Sequence, residues 1–180
     1  MAQFYIYLIS SLPSLHYGAR PPFSFDKFLE NCSGLIPEEE LDVLKSLPHA
    51  HLNGFAYSGA RETIENWYIF ETNLRNELVR LRASRKKEDP AHYLRREQYA
   101  EPSLVHLTQA ASRASSSLLL DAEKMLDEER WRYLDELSTG HYFDLDFLIT
   151  YAGKLLILER WHKIASQDKH KLLEEALSGG

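Results

Sequence analysis

Glu159-Arg-Trp-His162 has the Glu-x-x-His spacing that supplies ligands in di-iron helical bundles. Residues three apart share a helix face, so both side chains could reach one ion. Such a site needs a second Glu-x-x-His and two more glutamates on facing helices. The sequence holds no second copy, and its nearest analogue, Asp89-Pro-Ala-His92, stands at a proline. The plainer reading of Glu159 and His162 is a polar edge near a helix end. His49 and His51, in Pro48-His-Ala-His-Leu52, could both ligate a metal in an extended segment, but no carboxylate or cysteine stands beside them to complete the shell. Gly54-Phe-Ala-Tyr-Ser-Gly59 has the glycine spacing of a phosphate loop. It runs into Ala60-Arg61, where the lysine that reaches the phosphates and the hydroxyl that holds magnesium are required. The chain has no zinc-finger cysteine pairs, no His-Glu-x-x-His, no Gly-x-Ser-x-Gly and no Gly-x-Gly-x-x-Gly. We therefore expect no catalytic residue, no cofactor and no metal.

A concentration of cations is more informative. Arg75, Arg80, Arg82, Arg85, Lys86, Lys87, Arg95 and Arg96 fall in one short region whose only acids are Glu77, Glu88 and Asp89. The whole chain carries a formal charge of -6, so this region is an island on an acidic protein. It could meet an acidic protein surface, or RNA, or acidic lipid. The plainer reading is a solvated helix end, where cations also suit the negative pole of the helix dipole. The cluster is the candidate partner-binding surface. A second charged stretch runs from Asp121 to Asp135. It reads as a salt-bridged outer face; the alternative is that Asp127 and Arg130 turn inward near Trp131 and fix a helix junction.

The elements that must position these residues are helices. Residues 60–88 contain neither Pro nor Gly, and Ile64, Trp67, Tyr68, Glu71, Leu74, Leu78 and Leu81 recur at helical spacing. The pattern predicts one long helix, with Glu71 and Arg75 as an i,i+4 pair. Asp89-Pro90 should break it. A short helix is expected over 90–99, and Pro102 opens another. In 118–137, Leu119, Ala122, Leu126, Arg130, Tyr133 and Leu137 share a face. In 145–164, Leu148, Tyr151, Leu155, Leu158 and Trp161 do so, with Asp144 as N-cap. A last helix is expected over 168–177. Trp67, Trp131 and Trp161 lie on or beside these stripes and are expected core anchors. Before residue 59 the prolines Pro13, Pro21, Pro22, Pro37 and Pro48 restrict the chain to short pieces. Ser24 suits an N-cap for 25–32, Gly34 a stop, and Pro37 with Glu38, Glu39 and Glu40 a helix start. Phe4-Tyr5-Ile6-Tyr7-Leu8-Ile9 is apolar throughout and leans to helix, although periodicity does not separate it from a buried strand.

The fold class expected is all-α: a helical bundle with one long helix at about 60–88 and a C-terminal antiparallel helical bundle. The 180 residues fit a single helical domain (1–180), or two lobes: a Pro-punctuated one over 1–100 that holds the long helix, and a helical one over 101–180. The single cysteine, Cys32, allows no internal disulfide, fits a reducing compartment and reads as a buried structural thiol. No Lys or Arg precedes Arg20, so the opening lacks the n-region of a signal peptide, and its apolar run is far short of the ~20 residues that span a bilayer. The localisation expected is cytoplasmic, or peripheral on the cytoplasmic face of a membrane complex.

Two long stretches carry a resemblance. Leu119-Leu-Asp-Ala-Glu-Lys-Met-Leu-Asp-Glu-Glu-Arg-Trp-Arg-Tyr-Leu-Asp-Glu-Leu137 is one. Phe143-Asp-Leu-Asp-Phe-Leu-Ile-Thr-Tyr-Ala-Gly-Lys-Leu-Leu-Ile-Leu-Glu-Arg-Trp161 is the other. With Tyr5-Ile-Tyr-Leu-Ile-Ser-Ser-Leu-Pro13 and Pro22-Phe-Ser-Phe-Asp-Lys-Phe28, they resemble a bacterial domain-of-unknown-function family, number 2764. That family is similar, more distantly, to the C-type (eukaryotic d-type) stalk component of V/A-type rotary ATPases, the all-helical protein that caps the membrane rotor ring and seats the central shaft. Its members tend to be encoded beside V-type ATPase components. The resemblance implies a non-catalytic stalk or coupling subunit that links the central shaft to the membrane rotor in proton or sodium transport. Its partners would be central-stalk and rotor-ring subunits, with the membrane reached only through the complex and no small-molecule substrate. The chain departs from the C-type component in length: it is too short for the three helical units of that funnel and shows no repeat. The alternative is a free cytoplasmic helical adaptor, or an RNA-contacting protein that uses the basic cluster, although the acidic net charge disfavours nucleic acid.

Overall fold

The computed structural model describes residues 5–49, 61–94, 108–113 and 118–178, with the backbone alone for His49 and 168–178. The protein is all-α. Among the described residues there is no strand, only an isolated bridge between Ser33 and Ile36 at a turn. The chain forms two compact units, one from Met1–Pro48 with Gly140–Gly180 and the other from His49–Thr139.

The first unit contains α1 (Ile6–Ser11), α2 (Phe25–Cys32), α3 (Glu38–Ser46) and the long last helix, which is labelled α6 below (Leu145–Ser178). The starts of α2, α3 and α6 have local causes. The Ser24 side chain accepts the Lys27 N–H at 3.2 Å, and Asp26 sits in the first turn of α2. Pro37 caps α3 ahead of three glutamates, Glu38, Glu39 and Glu40, in its first turn. Asp144 caps α6 by accepting the Phe147 N–H at 3.0 Å. Gly34 ends the α2 segment at φ 77°, a conformation that favours glycine. α6 then buries Leu145, Leu148, Ala152, Leu155 and Leu158 along one stripe. α2 and α3 pack against α6 and each other. Phe28, fully buried, stacks on Tyr151 with ring centroids 5.5 Å apart. Burying such a side chain contributes about 1.5–3 kcal/mol. The proline-rich opening is tied down by polar contacts. The Tyr151 hydroxyl donates to the Pro13 carbonyl at 2.9 Å, the Tyr5 hydroxyl to Glu40 at 2.5 Å, and the Tyr5 N–H to the Phe143 carbonyl at 2.5 Å.

The second unit contains α4 (Glu62–Lys86), a 3-10 turn at Pro90–His92, a helical piece at 108–113, and α5 (Leu119–Leu137). Phe70, Leu74 and Leu126 form its described apolar core, with Trp67, Leu78, Ala122 and Tyr133 packed around them. Phe70 and Tyr133 stack almost parallel, 4.1 Å between centroids and 7° between planes. Trp67 covers both rings, at 5.6 and 6.3 Å.

Three sequence expectations differ from the structure. The helices expected over 145–164 and 168–177 are one continuous α6, because Ala165-Ser166-Gln167 contains neither Pro nor Gly to stop the ladder. The two helices expected to form one C-terminal bundle belong to different units: α5 packs on α4, whereas α6 packs on α2 and α3. An apolar stripe states that a helix has a face to bury; it does not name the helix that buries it. The helix expected over 90–99 is a 3-10 turn at Pro90–His92 as far as the described residues reach, and the helix opened by Pro102 lies outside them. Trp67, Trp131 and Trp161 are all half-buried, and Trp67 packs against the core of Phe70, Leu74 and Leu126.

Candidate functional site

α4 ends in a way that places its cations. The chain leaves the helix at Lys87, whose φ of 58° and ψ of 35° are left-handed, and the Glu88 N–H returns to the Ala83 carbonyl at 3.0 Å. That is the Schellman reversal, here made without glycine. Asp89 then caps the 3-10 turn by accepting the Ala91 N–H at 2.9 Å, and this turn packs back along α4. A groove of about 680 Å³ results, lined by Arg75, Arg82, Arg85 and Lys86 with Val79, Ala83 and Tyr93; Glu88 and His92 complete it. Arg75, Arg82 and Lys86 are exposed and hold no ion pair or hydrogen bond among the described residues.

The candidate cations therefore part company. The structure brings Arg75, Arg82, Arg85 and Lys86 together. Arg80 turns away to an ion pair with Glu77, a buried carboxylate that also accepts the Thr108 hydroxyl at 2.9 Å. Lys87 is exposed at the helix cap. Arg95 and Arg96 lie outside the described residues. The residues that sequence reasoning left out of the groove are Val79, Ala83 and Tyr93. Their signal was the spacing of Val79 and Ala83 among the arginines of one helix.

A second charged constellation is internal. Arg130 of α5 gives Nε and one terminal nitrogen to the two oxygens of Glu71 on α4, at 2.6 and 3.3 Å, and its other terminal nitrogen to Asp127 at 2.9 Å. Asp127 is 1% exposed. Asp127 and Arg130 turn inward, while the exposed Arg132 pairs with Glu129 and Glu136, so the salt-bridged outer face is present as well. Glu71 pairs with Arg130 rather than Arg75. Burial opposes the charge on the Arg130 guanidinium, but Glu71 and Asp127 hold its pKa above the ordinary arginine range. Planar, bidentate pairing of this kind fixes the register of α5 on α4.

The remaining candidates yield less. Glu159 and His162 both lie on α6, where Glu159 approaches the Lys163 ammonium at 3.9 Å and His162 is exposed. They line a cavity of about 500 Å³ with Arg20 and Ser24, and no further His or carboxylate joins them among the described residues. The His51 side chain, that of His49, and Gly54–Gly59 lie outside the described residues. A cluster that sequence spacing did not single out is His141, Asp144 and Asp146, whose ligand atoms lie within 4.8 Å of one another. His141 Nδ1 meets Asp144 at 2.7 Å, and the other oxygen of Asp144 caps α6. The cluster occupies the positive end of a long helix, which disfavours a cation, so capping accounts for it. Cys32 is fully buried, and burial pushes its thiol up to about 12, so it is not a nucleophile near neutral pH.

Among the described residues no helix is long and apolar enough to cross a membrane. No curated protein and no solved structure matches the chain. A family model described as a protein of unknown function (DUF2764) matches residues 25–177, a span that starts at α2, takes in the groove at the end of α4 and runs almost to the end of α6, and the chain belongs to that family.

Proposed function

We propose that this chain is a non-catalytic coupling subunit of a bacterial V-type ATPase, bound on the cytoplasmic face and joined to its partner through the basic groove of α4. The observation that carries the partner-binding reading is the groove itself: Arg75, Arg82 and Lys86 stand exposed and unpaired among the described residues of an acidic chain. Cations with no ion pair among the described residues of a net-negative protein suit intermolecular pairing, which sets specificity and speeds encounter. The ATPase setting rests on the likeness of the family to the rotor-capping stalk component. The membrane is then reached through the complex, which agrees with the lack of a membrane-crossing helix among the described residues.

The test is a pull-down of the tagged chain from detergent-solubilised membranes of a host that encodes it beside V-type ATPase genes. Wild type is expected to retain stalk or rotor subunits. The variant Arg75→Glu, Arg82→Glu, Lys86→Glu is expected to stay folded by circular dichroism and to lose them. Full retention by the folded variant removes the groove from the interface, and absence of ATPase subunits from the wild-type eluate removes the ATPase setting.

A further inference from the structure

We propose that the groove seats a helical segment of a protein partner whose carboxylates follow the spacing of α4, with one apolar side chain resting on Val79, Ala83 and Tyr93. This deepens the reading of the groove as a partner surface and rests on it, but not on the ATPase setting. Arg75, Val79, Arg82 and Lys86 are four, three and four residues apart. That is the spacing of a coiled-coil seam, which keeps side chains in one line along a helix. A linear ligand laid along the stripe therefore meets charge, apolar surface, charge and charge in order. The floor invites close approach. Ala83 is 5% exposed and small, Val79 is half-buried, and Tyr93, brought alongside by the Pro90–His92 turn, is 58% exposed. The stripe from Arg75 to Lys86 rises about 16 Å along α4, so a partner helix laid along it spans about three turns.

The same features argue against a nucleic acid. Glu88 lies in the groove, where it repels a continuous polyanion yet suits a partner of mixed charge. Among the described residues that line the groove the exposed rings are Tyr93 and His92, adjacent in the chain rather than spaced along the groove, whereas single-stranded nucleic acids are held by successive stacked bases along a groove. The ion pairs would sit in water and contribute little affinity each, so they set register and the apolar contact carries the binding.

The experiment uses the full chain and fluorescence anisotropy with three labelled probes. The first is a designed alanine-rich helical peptide with glutamates at the four-three-four spacing of the stripe and a leucine among them. The second is a permuted peptide of the same composition, with its glutamates spread round the helix. The third is a single-stranded RNA oligomer. The ordered peptide is expected to bind at least tenfold tighter than either of the others. Arg82→Glu with Lys86→Glu should weaken it at least tenfold, and a peptide with lysine at the two facing positions should restore binding to that variant. Tyr93→Ser, at an exposed position outside the helix, should weaken the ordered peptide without altering the melting temperature, and it keeps the test open if the charge variant fails to fold. Equal binding of ordered and permuted peptides, or tighter binding of RNA, overturns the proposal. Because no ATPase subunit is present, a failed membrane pull-down beside a discriminating peptide result removes the ATPase setting and leaves the groove assignment standing.

Discussion

Arg130 illustrates how much one side chain can decide. Its guanidinium joins Glu71 and Asp127, and Asp127 has almost no access to water. Removing the cation takes the guanidinium away from a buried carboxylate, which typically costs about 3–5 kcal/mol. We expect Arg130→Ala to lower unfolding stability by that order, and Arg130→Lys to recover only part of it, because an ammonium does not reproduce the fork. Urea titrations of the three proteins check this; an unchanged midpoint in Arg130→Ala would show the pair to be an ornament of the surface. The sequence supplied Asp127 and Arg130 three residues apart and thus their pairing on one helix. It did not supply Glu71, which lies far away in the chain and arrives only when α4 and α5 pack. The groove repeats the pattern. Its cations were legible as a cluster, but which of them face one cleft depends on helical phase, and Arg80 leaves the cluster for the buried Glu77.

At the scale of the element, the end of α4 carries the most instructive choice. A lysine occupies the left-handed position that glycine usually takes, at a cost for an L-residue of roughly 1–2 kcal/mol. Gly18, Gly34 and Gly140 take the same backbone region elsewhere in the chain without that cost. We expect Lys87→Gly to stabilise the second unit by about 0.5–1 kcal/mol, the strain relief being partly offset by the greater freedom of glycine in the unfolded chain. Thermal unfolding measures it, and a destabilised variant would mean that the Lys87 side chain itself supports the reversal. Boundaries of the other helices were legible wherever a residue type dictates them: Ser24 and Asp144 are caps as read, and Pro37, read as the first helical residue, stands one position earlier at the N-cap. The missing break near residue 165 shows the limit, since a polar stretch alone does not interrupt a helix that has a folded turn behind it.

For the whole molecule, the division into two units has a measurable consequence. The core of Phe70, Leu74 and Leu126 belongs to one unit, and that of Phe28, Leu148 and Leu155 to the other. Phe70→Ala removes a stacked aromatic and should cost about 3–5 kcal/mol. Native-state hydrogen exchange of this variant is expected to quicken in α4 and α5 and to stay at the wild-type rate in α2, α3 and α6. Uniform acceleration would show that the two units unfold as one.

The sequence by itself determined that the protein is helical, where most helices start, that one long helix spans the middle, and that positive charge gathers at its end. Those properties are local: propensity, caps, breakers and a 3.6-residue period act within a few turns. Only the tertiary structure decided that the two ends of the chain build one unit while the middle builds the other, that Glu71 pairs across to Arg130, and that Tyr93 comes alongside Arg75, Val79 and Arg82 to make a groove. Those outcomes depend on which apolar faces bury each other, and burial is non-directional, so a stripe on one helix is silent about the partner that will cover it.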